Sequence, residues 1–376
     1  MNNDKTKSNN KFIVIGIVLV VVLIIVDLII QNIPWKNLFE KEVVTTENRD
    51  VTITDTGIAE SVDKLYNATV VVKIYTQTSQ SVAGWGSGVV YDKDDSKAYI
   101  LTNNHVVESA SKIEIEFTDG SSTEGKVVGS DTISDIAVVS VPVDKILQVG
   151  DIGKSADVRL GDTVFAIGTP ISLSYKFTVT RGILSGKDRM VEMSSSSQSY
   201  FQRNTESWYM RLLQIDASIN SGNSGGPLAN ANGEVIGITN SKLSSSYGSA
   251  SIENMGFAIP IEDALNVAGQ LRSNGKVTRP FLGVSMTTVA QAYRAGIDLD
   301  SSITSGAVIV EVQKDSASDK AGLKKGDVIT KFGDYEIKDY QYLKYYLYRY
   351  NVGDEIAITY IRDGKEKTTT MTLKES

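Results

Sequence analysis

Three residue types that together perform nucleophilic catalysis follow one another along this chain. His105 is the single histidine of 376 residues and lies in Thr102–Val107 (TNNHVV), after an apolar run. Asp135 comes next and is followed by another apolar run (IAVV), and Ser224 lies in the glycine-rich segment Gly222–Leu228 (GNSGGPL). A serine hydroxyl is a weak nucleophile until a base such as histidine removes its proton, and a carboxylate fixes the tautomer of that base. We therefore predict His105 as base, Asp135 as orienting acid and Ser224 as nucleophile.

The glycines around Ser224 have a separate predicted role. Gly222 allows the backbone to turn so that its N–H and that of Ser224 point at one oxyanion, and a side chain there would obstruct the turn. Gly225 and Gly226 permit close packing behind the serine. Taken singly, each motif also has a structural explanation, as a glycine-rich turn, a strand-edge acid or a histidine at a strand end. Their occurrence together, in one order and in a β-rich region, favours catalysis.

Composition excludes several classes of function. The net charge of −7 argues against nucleic acid as the main partner. The chain has no cysteine, so disulfides, thiolate zinc sites and iron–sulfur clusters are excluded, and one histidine excludes a multi-histidine metal site. A carboxylate calcium site stays open, but no stretch has the pattern of an EF-hand loop. We predict neither a metal nor another cofactor.

The N-terminal region has the pattern of a membrane anchor. Residues 12–31 are apolar apart from Asp27 and Gln31, and their number matches the roughly 20 residues that a helix needs to cross a bilayer. Three lysines within residues 1–11 predict a cytoplasmic tail, and Trp35 suits the far interface. The alternative is a cleaved signal peptide, but no small-x-small cleavage site follows the apolar run. We therefore expect a single-pass protein of the cell membrane, with the bulk of the chain extracytoplasmic.

The rest of the chain divides into a polar tether (32–56) and two predicted domains, 57–274 and 275–376. The first is rich in short strands after a helix at Gly57–Tyr66, which indicates an all-β sandwich or a pair of barrels. A helix from Pro260 to Asn274 closes it. The second is mixed, and its predicted elements are strands at Ala307–Val312 and Asp327–Phe332, a helix at Lys338–Tyr350, and a hairpin of Glu355–Ile361 with Glu366–Leu373.

The three motifs resemble the signature blocks of the high-temperature-requirement (HtrA/Deg) family of trypsin-like serine proteases. Three further segments, Gly86–Val89, Ile167–Pro170 and Gly256–Pro260, also resemble family segments. The resemblance covers roughly residues 58 to 376 and implies a mostly β fold, with two perpendicular chymotrypsin-like β-barrels and the triad in the cleft between them. It also implies unfolded or damaged proteins as substrates, a homotrimer as the assembly, and a single membrane anchor of the kind many bacterial members carry.

The C-terminal domain resembles a PDZ domain. The segment Arg279–Val284 (RPFLGV) is similar to the carboxylate-binding loop, so Phe281, Leu282, Gly283 and Val284 are predicted to bind peptide C-termini through backbone N–H groups. Pro280 departs from the glycine often found there and removes one N–H. The alternative for this domain is a spacer without a peptide ligand.

Substrate preference is predicted from the stretch before the nucleophile. Ala217–Asn223 contains no acid, and Asp216 is assigned to the preceding strand, so we expect a neutral pocket that favours small or aliphatic residues. The segment Lys187–Tyr209 is interpreted as an inserted loop that either orders or occludes the active site, or is disordered. The sequence favours an active, membrane-anchored endopeptidase of protein quality control and stress response; the alternative is a peptide-binding, chaperone-like scaffold with an idle triad.

Overall fold

The computed structural model describes residues 20, 22–24, 56–78, 81–194, 207–241 and 254–375. The predicted tether, apart from Thr56, and most of the predicted anchor lie outside these residues; of the anchor, Val20 and residues 22–24 are described, and they are helical. Among the described residues, no helix is long and apolar enough to cross a membrane. Residues 54–376 form one compact unit, which is mostly β.

The strands of the first barrel are rich in β-branched residues and pack around a shared apolar interior. It follows helix α1 (Thr56–Tyr66), whose Leu65 is fully buried. Its strands close in the order β1-β2-β3-β6-β5-β4. They are β1 (Thr69–Tyr75), β2 (Gly84–Lys93), β3 (Lys97–Thr102), β4 (Lys112–Glu116), β5 (Ser122–Asp131) and β6 (Ile136–Pro142), with the one-turn helix α2 (Asn104–Val107) after β3. Because β3 pairs with β6 over its whole length, the ends of these two strands lie side by side.

The second barrel repeats this arrangement, closing in the order β10-β11-β12-β9-β8-β7. Its strands are β7 (Thr163–Gly168), β8 (Thr178–Ser194), β9 (Ser207–Ile215), β10 (Pro227–Asn230), β11 (Val235–Thr239) and β12 (Gly256–Pro260). Strands β10 to β12 are almost wholly buried, so the chain around Ser224 rests on a rigid, apolar base. The mostly β, double-barrel fold class is therefore confirmed.

The inserted loop predicted at Lys187–Tyr209 is in part a β-hairpin, and the loop prediction was wrong for those residues. Strand β8 continues to Ser194, and β9 begins at Ser207, with register shifts near Gly186 where β8 bulges. The alternation of apolar and polar residues around Val191 and Met193 buries one face of this extension. Residues 195–206, including Tyr200 and Phe201, lie outside the described part of the chain.

Helix α3 (Ile261–Asn274) closes the barrel pair. Its apolar face (Ile261, Ala264, Ala268 and Leu271) is buried against residues of both barrels, and Gly275 ends it in the left-handed conformation. The prediction of a helix here is confirmed, except that Pro260 belongs to β12 and precedes the first helical turn.

The C-terminal domain has a separate core around Phe332, Leu343 and Ile358. Its main sheet has the order β14-β15-β16-β18-β19, so β14 is an edge strand. The elements are β13 (Pro280–Phe281), β14 (Val284–Thr288), α4 (Val289–Arg294), β15 (Ala307–Val312), α5 (Ala317–Lys320), β16 (Val328–Phe332), β17 (Tyr335–Glu336), α6 (Tyr340–Leu347), β18 (Glu355–Arg362), β19 (Lys365–Thr372) and β20 (Lys374–Glu375). The predicted helix Lys338–Tyr350 is shorter than expected because Asp339 caps it and the chain leaves the helical conformation after Leu347.

Candidate active site

His105 and Asp135 form a two-point contact at the adjacent ends of β3 and β6. The backbone N–H of His105 donates to Asp135 Oδ1 at 3.0 Å, and its ring Nδ1 lies 2.7 Å from Asp135 Oδ2. A carboxylate can only accept, so Nδ1 carries the proton and Nε2 is left as the free acceptor. The Asp135 side chain is 8% exposed, and the residue has a positive φ of 53°, which lets it turn back towards β3.

Asn240 is a second partner of the same carboxylate that the sequence analysis missed. Its amide Nδ2 donates to Asp135 Oδ2 at 2.7 Å, and the side chain is fully buried after the end of β11. On the other side, Asn103 Nδ2 donates to the backbone carbonyl of Asp135. Buried carboxylates are stable only when they are hydrogen-bonded or paired, and these contacts provide the hydrogen bonds that the buried Asp135 side chain requires. The one sequence signal for Asn240 is its position two residues after the mostly apolar run Val235–Ile238.

Ser224 lies beside this pair on the turn that precedes β10. Its hydroxyl is 2.6 Å from the hydroxyl of Ser241 and accepts the backbone N–H of Ser241 at 3.1 Å. Within the described residues, the Ser224 hydroxyl therefore pairs with Ser241 and not with His105. Since Asn240 contacts Asp135 and its neighbour Ser241 contacts Ser224, one dipeptide after β11 brings the predicted acid and the predicted nucleophile together.

The turn before Ser224 depends on its glycines. Gly222 has a φ of 98°, and a Cβ there would lie 2.1 Å from the Thr169 carbonyl oxygen. Gly225 and Gly226 are packed as tightly, with added Cβ atoms 2.3 Å and 2.4 Å from backbone oxygens of Ser87 and Ile167. No other residue type fits these positions without moving the backbone.

The orientation of the peptide group between Ser221 and Gly222 is fixed from outside the turn. The Ser221 carbonyl accepts the N–H of Ile171 at 2.8 Å. Because the C=O and N–H of a trans peptide point in opposite directions, the Gly222 N–H is directed away from Ile171. The Gly222 carbonyl in turn accepts the hydroxyl of Ser87 at 2.8 Å. A backbone donor aimed in a fixed direction beside Ser224 is what an oxyanion site requires.

The sequence analysis assigned Asp216 to the preceding strand, and this assignment was wrong. Strand β9 ends at Ile215, and Asp216 Oδ1 accepts the N–H of Ile183 at 2.6 Å. One oxygen of this carboxylate is therefore engaged with the backbone of β8. Among the described residues, no group of three or more His, Asp or Glu side chains is arranged to hold a metal ion.

The C-terminal domain offers a free strand edge next to the predicted carboxylate-binding loop. The carbonyls of Leu282 and Gly283 accept N–H groups of Ser318 and Gln313, so the N–H groups of Gly283 and Val284 point the opposite way. The outer edge of β14 pairs with no other strand of the described chain. Helix α6 contacts β14, and its buried Leu343 and Leu347 belong to the apolar core of this domain, which also contains Leu282.

Polar contacts join the double-barrel domain and the C-terminal domain. Arg279 donates to both carboxylate oxygens of Asp131, each at 2.6 Å; although burial pushes the pKa of Asp131 upward, these bonds outweigh it and hold it below its usual range. Tyr345 of α6 donates to Asp263 of α3 at 2.5 Å, and here burial prevails and raises the pKa of Asp263. Ser134, the residue before Asp135, also donates to Asp131, so the domain contact ends next to the His105–Asp135 pair.

Comparison with known proteins agrees with this architecture. A trypsin-like peptidase domain matches residues 86–238 and a PDZ domain matches residues 280–373. "Serine protease Do-like HtrA" of Bacillus subtilis is 40% identical over 299 residues, covering 78% of this chain and 64% of the relative. The protein of the same name in Lactococcus lactis subsp. cremoris is 38% identical over 295 residues, covering 77% of this chain and 71% of the relative. The chain thus spans somewhat less than two thirds of the Bacillus protein.

Solved structures give the same result. The chain superposes on "HtrA-type protease AlgW with tripeptide" with a TM-score of 0.66 at 30% identity, covering 85% of this chain and 97% of that one. For a serine endoprotease from Yersinia pestis the TM-score is 0.60 at 28% identity, with 85% and 98% covered. The fold and site define a trypsin-like peptidase followed by a PDZ domain. The chain belongs to the HtrA family of Do-like serine proteases.

Proposed function

We propose that the chain is an active serine endopeptidase in which His105, Asp135 and Ser224 form the catalytic triad. The observation that carries this proposal is the contact of His105 with the buried Asp135, together with a Ser221–Gly222 peptide group that is fixed in direction on the turn that carries Ser224. A paired histidine with a free Nε2 can remove the serine proton, and the aligned Gly222 N–H can stabilise the oxyanion that follows. The N–H of Ser224 is the second proposed oxyanion donor.

Catalysis in this proposal begins with a rotation of the Ser224 side chain. The hydroxyl leaves Ser241 and turns to His105 Nε2, which accepts its proton as Ser224 Oγ attacks the substrate carbonyl. Asp135 stabilises the imidazolium formed, and Asn240 and the His105 backbone hold the carboxylate still. His105 then returns the proton to the leaving amine, and water hydrolyses the acyl-enzyme by the same route. Catalytic hydrogen bonds are often poorly aligned in enzymes without substrate and tighten only in the substrate complex.

We further propose that the substrates are unfolded or damaged extracytoplasmic proteins, which the PDZ domain binds by their C-termini. The unpaired edge of β14 can accept an extended peptide as an added strand, and N–H groups from Gly283 and Val284 can bind its carboxylate. Apolar side chains at this groove suit apolar C-termini, which folded proteins hide. Membrane anchoring through residues 12–31 and assembly as a trimer belong to this proposal and rest on the sequence pattern and the family.

The alternative is a peptide-binding scaffold with an idle triad. It is favoured by one observation, the pairing of the Ser224 hydroxyl with Ser241 in place of His105. A permanently diverted hydroxyl would not attack a substrate, whereas peptide binding at the β14 edge would be unaffected. The two proposals therefore differ in turnover and not in binding.

Casein degradation by the full-length chain and its Ser224→Ala variant distinguishes them. We expect turnover in the wild type and a loss of roughly 10⁴-fold or more in the variant, because removing one member of a triad disables the unit. Ser140→Ala, which removes a buried hydroxyl in the first barrel away from the site, is the matched control and should retain activity. Absence of turnover in the wild type, or near wild-type turnover in Ser224→Ala, would exclude the serine mechanism.

A further inference from the structure

Ser87 is a buried polar residue in the interior of the fold that the proposed catalytic steps do not use. It lies in β2 between Gly86 and Gly88, its side chain is fully buried, and it carries no part of the proton transfer. Burying a hydroxyl costs free energy unless the group is hydrogen-bonded, so its partners indicate why it is placed there.

The Ser87 hydroxyl bridges two segments that meet behind the predicted oxyanion site. It donates to the Gly222 carbonyl at 2.8 Å and accepts the N–H of Thr169 at 3.0 Å. Its backbone N–H donates to the carbonyl of Ser224 at 2.8 Å. One residue of the first barrel thus contacts both Gly222 and Ser224, on the turn of the second barrel that carries the nucleophile.

The second segment, Thr169–Ile171, is the one that orients the peptide group before Gly222. The Ile171 N–H holds the Ser221 carbonyl, and Ile171 does so with a φ of 65°. A β-branched residue in this conformation is strained and persists only where its surroundings enforce it. Thr169 supplies that enforcement from two sides, because its N–H is bound by Ser87 and its carbonyl accepts the indole N–H of Trp85 at 3.0 Å.

The packing around Ser87 is tight, and only a small side chain fits at this position. A Cβ added at Gly168 would lie 3.0 Å from the Ser87 hydroxyl, and one at Gly226 would lie 3.2 Å from Ser87 Cβ. Both glycines allow the strands to approach until the hydroxyl reaches its two partners. Ser87 therefore fits as a fixed bridge between the turn and the segment that orients it.

We propose that Ser87 is a positioning residue for the oxyanion site, joining the Gly222 turn to Thr169–Ile171 so that the Gly222 N–H stays aimed at the reacting carbonyl. This inference rests on the proposed function, since it assigns a role within that same site. Ser87 touches no substrate atom and acts through Gly222.

The test compares full-length wild type with Ser87→Ala, using a fluorogenic peptide and a peptide boronate, whose tetrahedral adduct on Ser224 places an oxygen in the oxyanion site. Loss of a direct oxyanion donor lowers kcat by about 10²- to 10³-fold, so we expect the loss of its positioning residue to cost roughly 10- to 100-fold in kcat. KM should stay within about threefold, and boronate affinity should fall in parallel with kcat. Ser140→Ala controls for loss of a buried hydroxyl.

Trp85→Phe provides a second variant that removes the donor to Thr169 while leaving Ser87 in place, and it should lower kcat by about three- to tenfold with KM unchanged. If Ser87→Ala does not yield folded protein, this variant decides the question. The proposal is overturned if kcat and boronate affinity stay within twofold of the Ser140→Ala control, or if kcat and KM both deteriorate in step with a lower melting temperature. An inactive wild type would overturn the proposed function instead, and the two failures are thereby distinguishable.

Discussion

Around Ser224, the backbone carbonyls of Ser221, Gly222 and Ser224 all have hydrogen-bond partners, whereas the outer edge of β14 in the PDZ domain pairs with no strand of the described chain. The difference follows from what each region has to do. Stabilising a transition state needs donors that are already aligned, so that no reorganisation is required during the reaction. Adding a peptide strand needs donors and acceptors that are still unpaired. Substitutions in the first region should therefore change kcat, and substitutions in the second should change peptide affinity.

The largest expected effect is a loss of kcat on removal of His105 or Ser224, the base and the nucleophile that the sequence predicted. His105→Ala should lower kcat for casein by about 10⁴-fold or more, and the double variant with Ser224→Ala should be no worse than either single one, because the residues act as a unit. Steady-state kinetics on all three variants measures this. Multiplicative losses in the double variant would mean that His105 and Ser224 act independently.

The next largest loss of kcat is expected from replacing Asn240. Asn240→Ala takes away one of the hydrogen bonds that hold the Asp135 carboxylate. Because that carboxylate orients the base and stabilises the imidazolium, we expect kcat to fall by roughly 10- to 100-fold. Binding of apolar C-terminal peptides at the PDZ domain should not change. An Asn240→Ala enzyme with wild-type kcat would remove Asn240 from the site.

The PDZ edge can be tested through its glycine. Gly283 has a φ of 74°, and a Cβ there would lie 2.2 Å from Ser316 Cβ, so Gly283→Ala must move the loop and should weaken peptide binding by about tenfold or more. Gly322→Ala is the matched control, since its φ is 77° but an added Cβ meets no atom within 4 Å. The measurement is calorimetric titration with an apolar C-terminal peptide as free acid and as amide. Equal binding of both peptides, or equal binding by both variants, would contradict carboxylate capture at this loop.

The smallest effects on activity are expected from the two carboxylates at the domain contact, which act on stability and whose pKa values are shifted in opposite directions. The pKa of Asp131 is lowered, so its ionised form stabilises the fold above the unfolded-state pKa, and this contribution is lost as pH falls through the folded-state pKa. The pKa of Asp263 is raised by burial, so the fold is favoured by its protonated form and loses stability as pH rises through the folded-state pKa.

Asp131→Asn should therefore lower the free energy of unfolding at neutral pH by about 2 kcal/mol, and Asp263→Asn should raise it or leave it unchanged. Both differences should shrink in acid. Denaturant unfolding at pH 7 and at pH 4 measures them. Loss of stability in Asp263→Asn that is the same at both pH values would show that burial of the charge is not what matters at this position.

The sequence predicted those features that depend on local pattern. Several of the barrel strands follow from alternating or continuous apolar runs, and helix α3 follows from its apolar face and Gly275. The turn at Gly222 was predicted from the glycine itself, and its φ is positive. His105 and Asp135, which the sequence analysis grouped by the order of their motifs, are in contact in the structure because β3 pairs with β6.

What the sequence did not show depends on contacts between distant residues. Asn240 reaches Asp135 across 105 positions, and Ser87 reaches Gly222 across 135. Neither residue has a local motif that names its partner. The extension of β8 and β9 was interpreted as a loop because Lys187–Tyr209 is polar and rich in serine, whereas pairing with the partner strand, which local composition does not indicate, makes it a hairpin.

The central claim is that Ser224 is a nucleophile activated by His105, and covalent labelling tests it most directly. The full-length chain is treated with a fluorophosphonate, and the modified residue is located by mass spectrometry in the wild type, His105→Ala and Ser140→Ala. We predict modification of Ser224 alone, at similar rates in the wild type and Ser140→Ala, and a loss of at least about 10³-fold in rate in His105→Ala. Absence of labelling in the folded wild type, labelling at another serine, or an unchanged rate in His105→Ala would contradict the account.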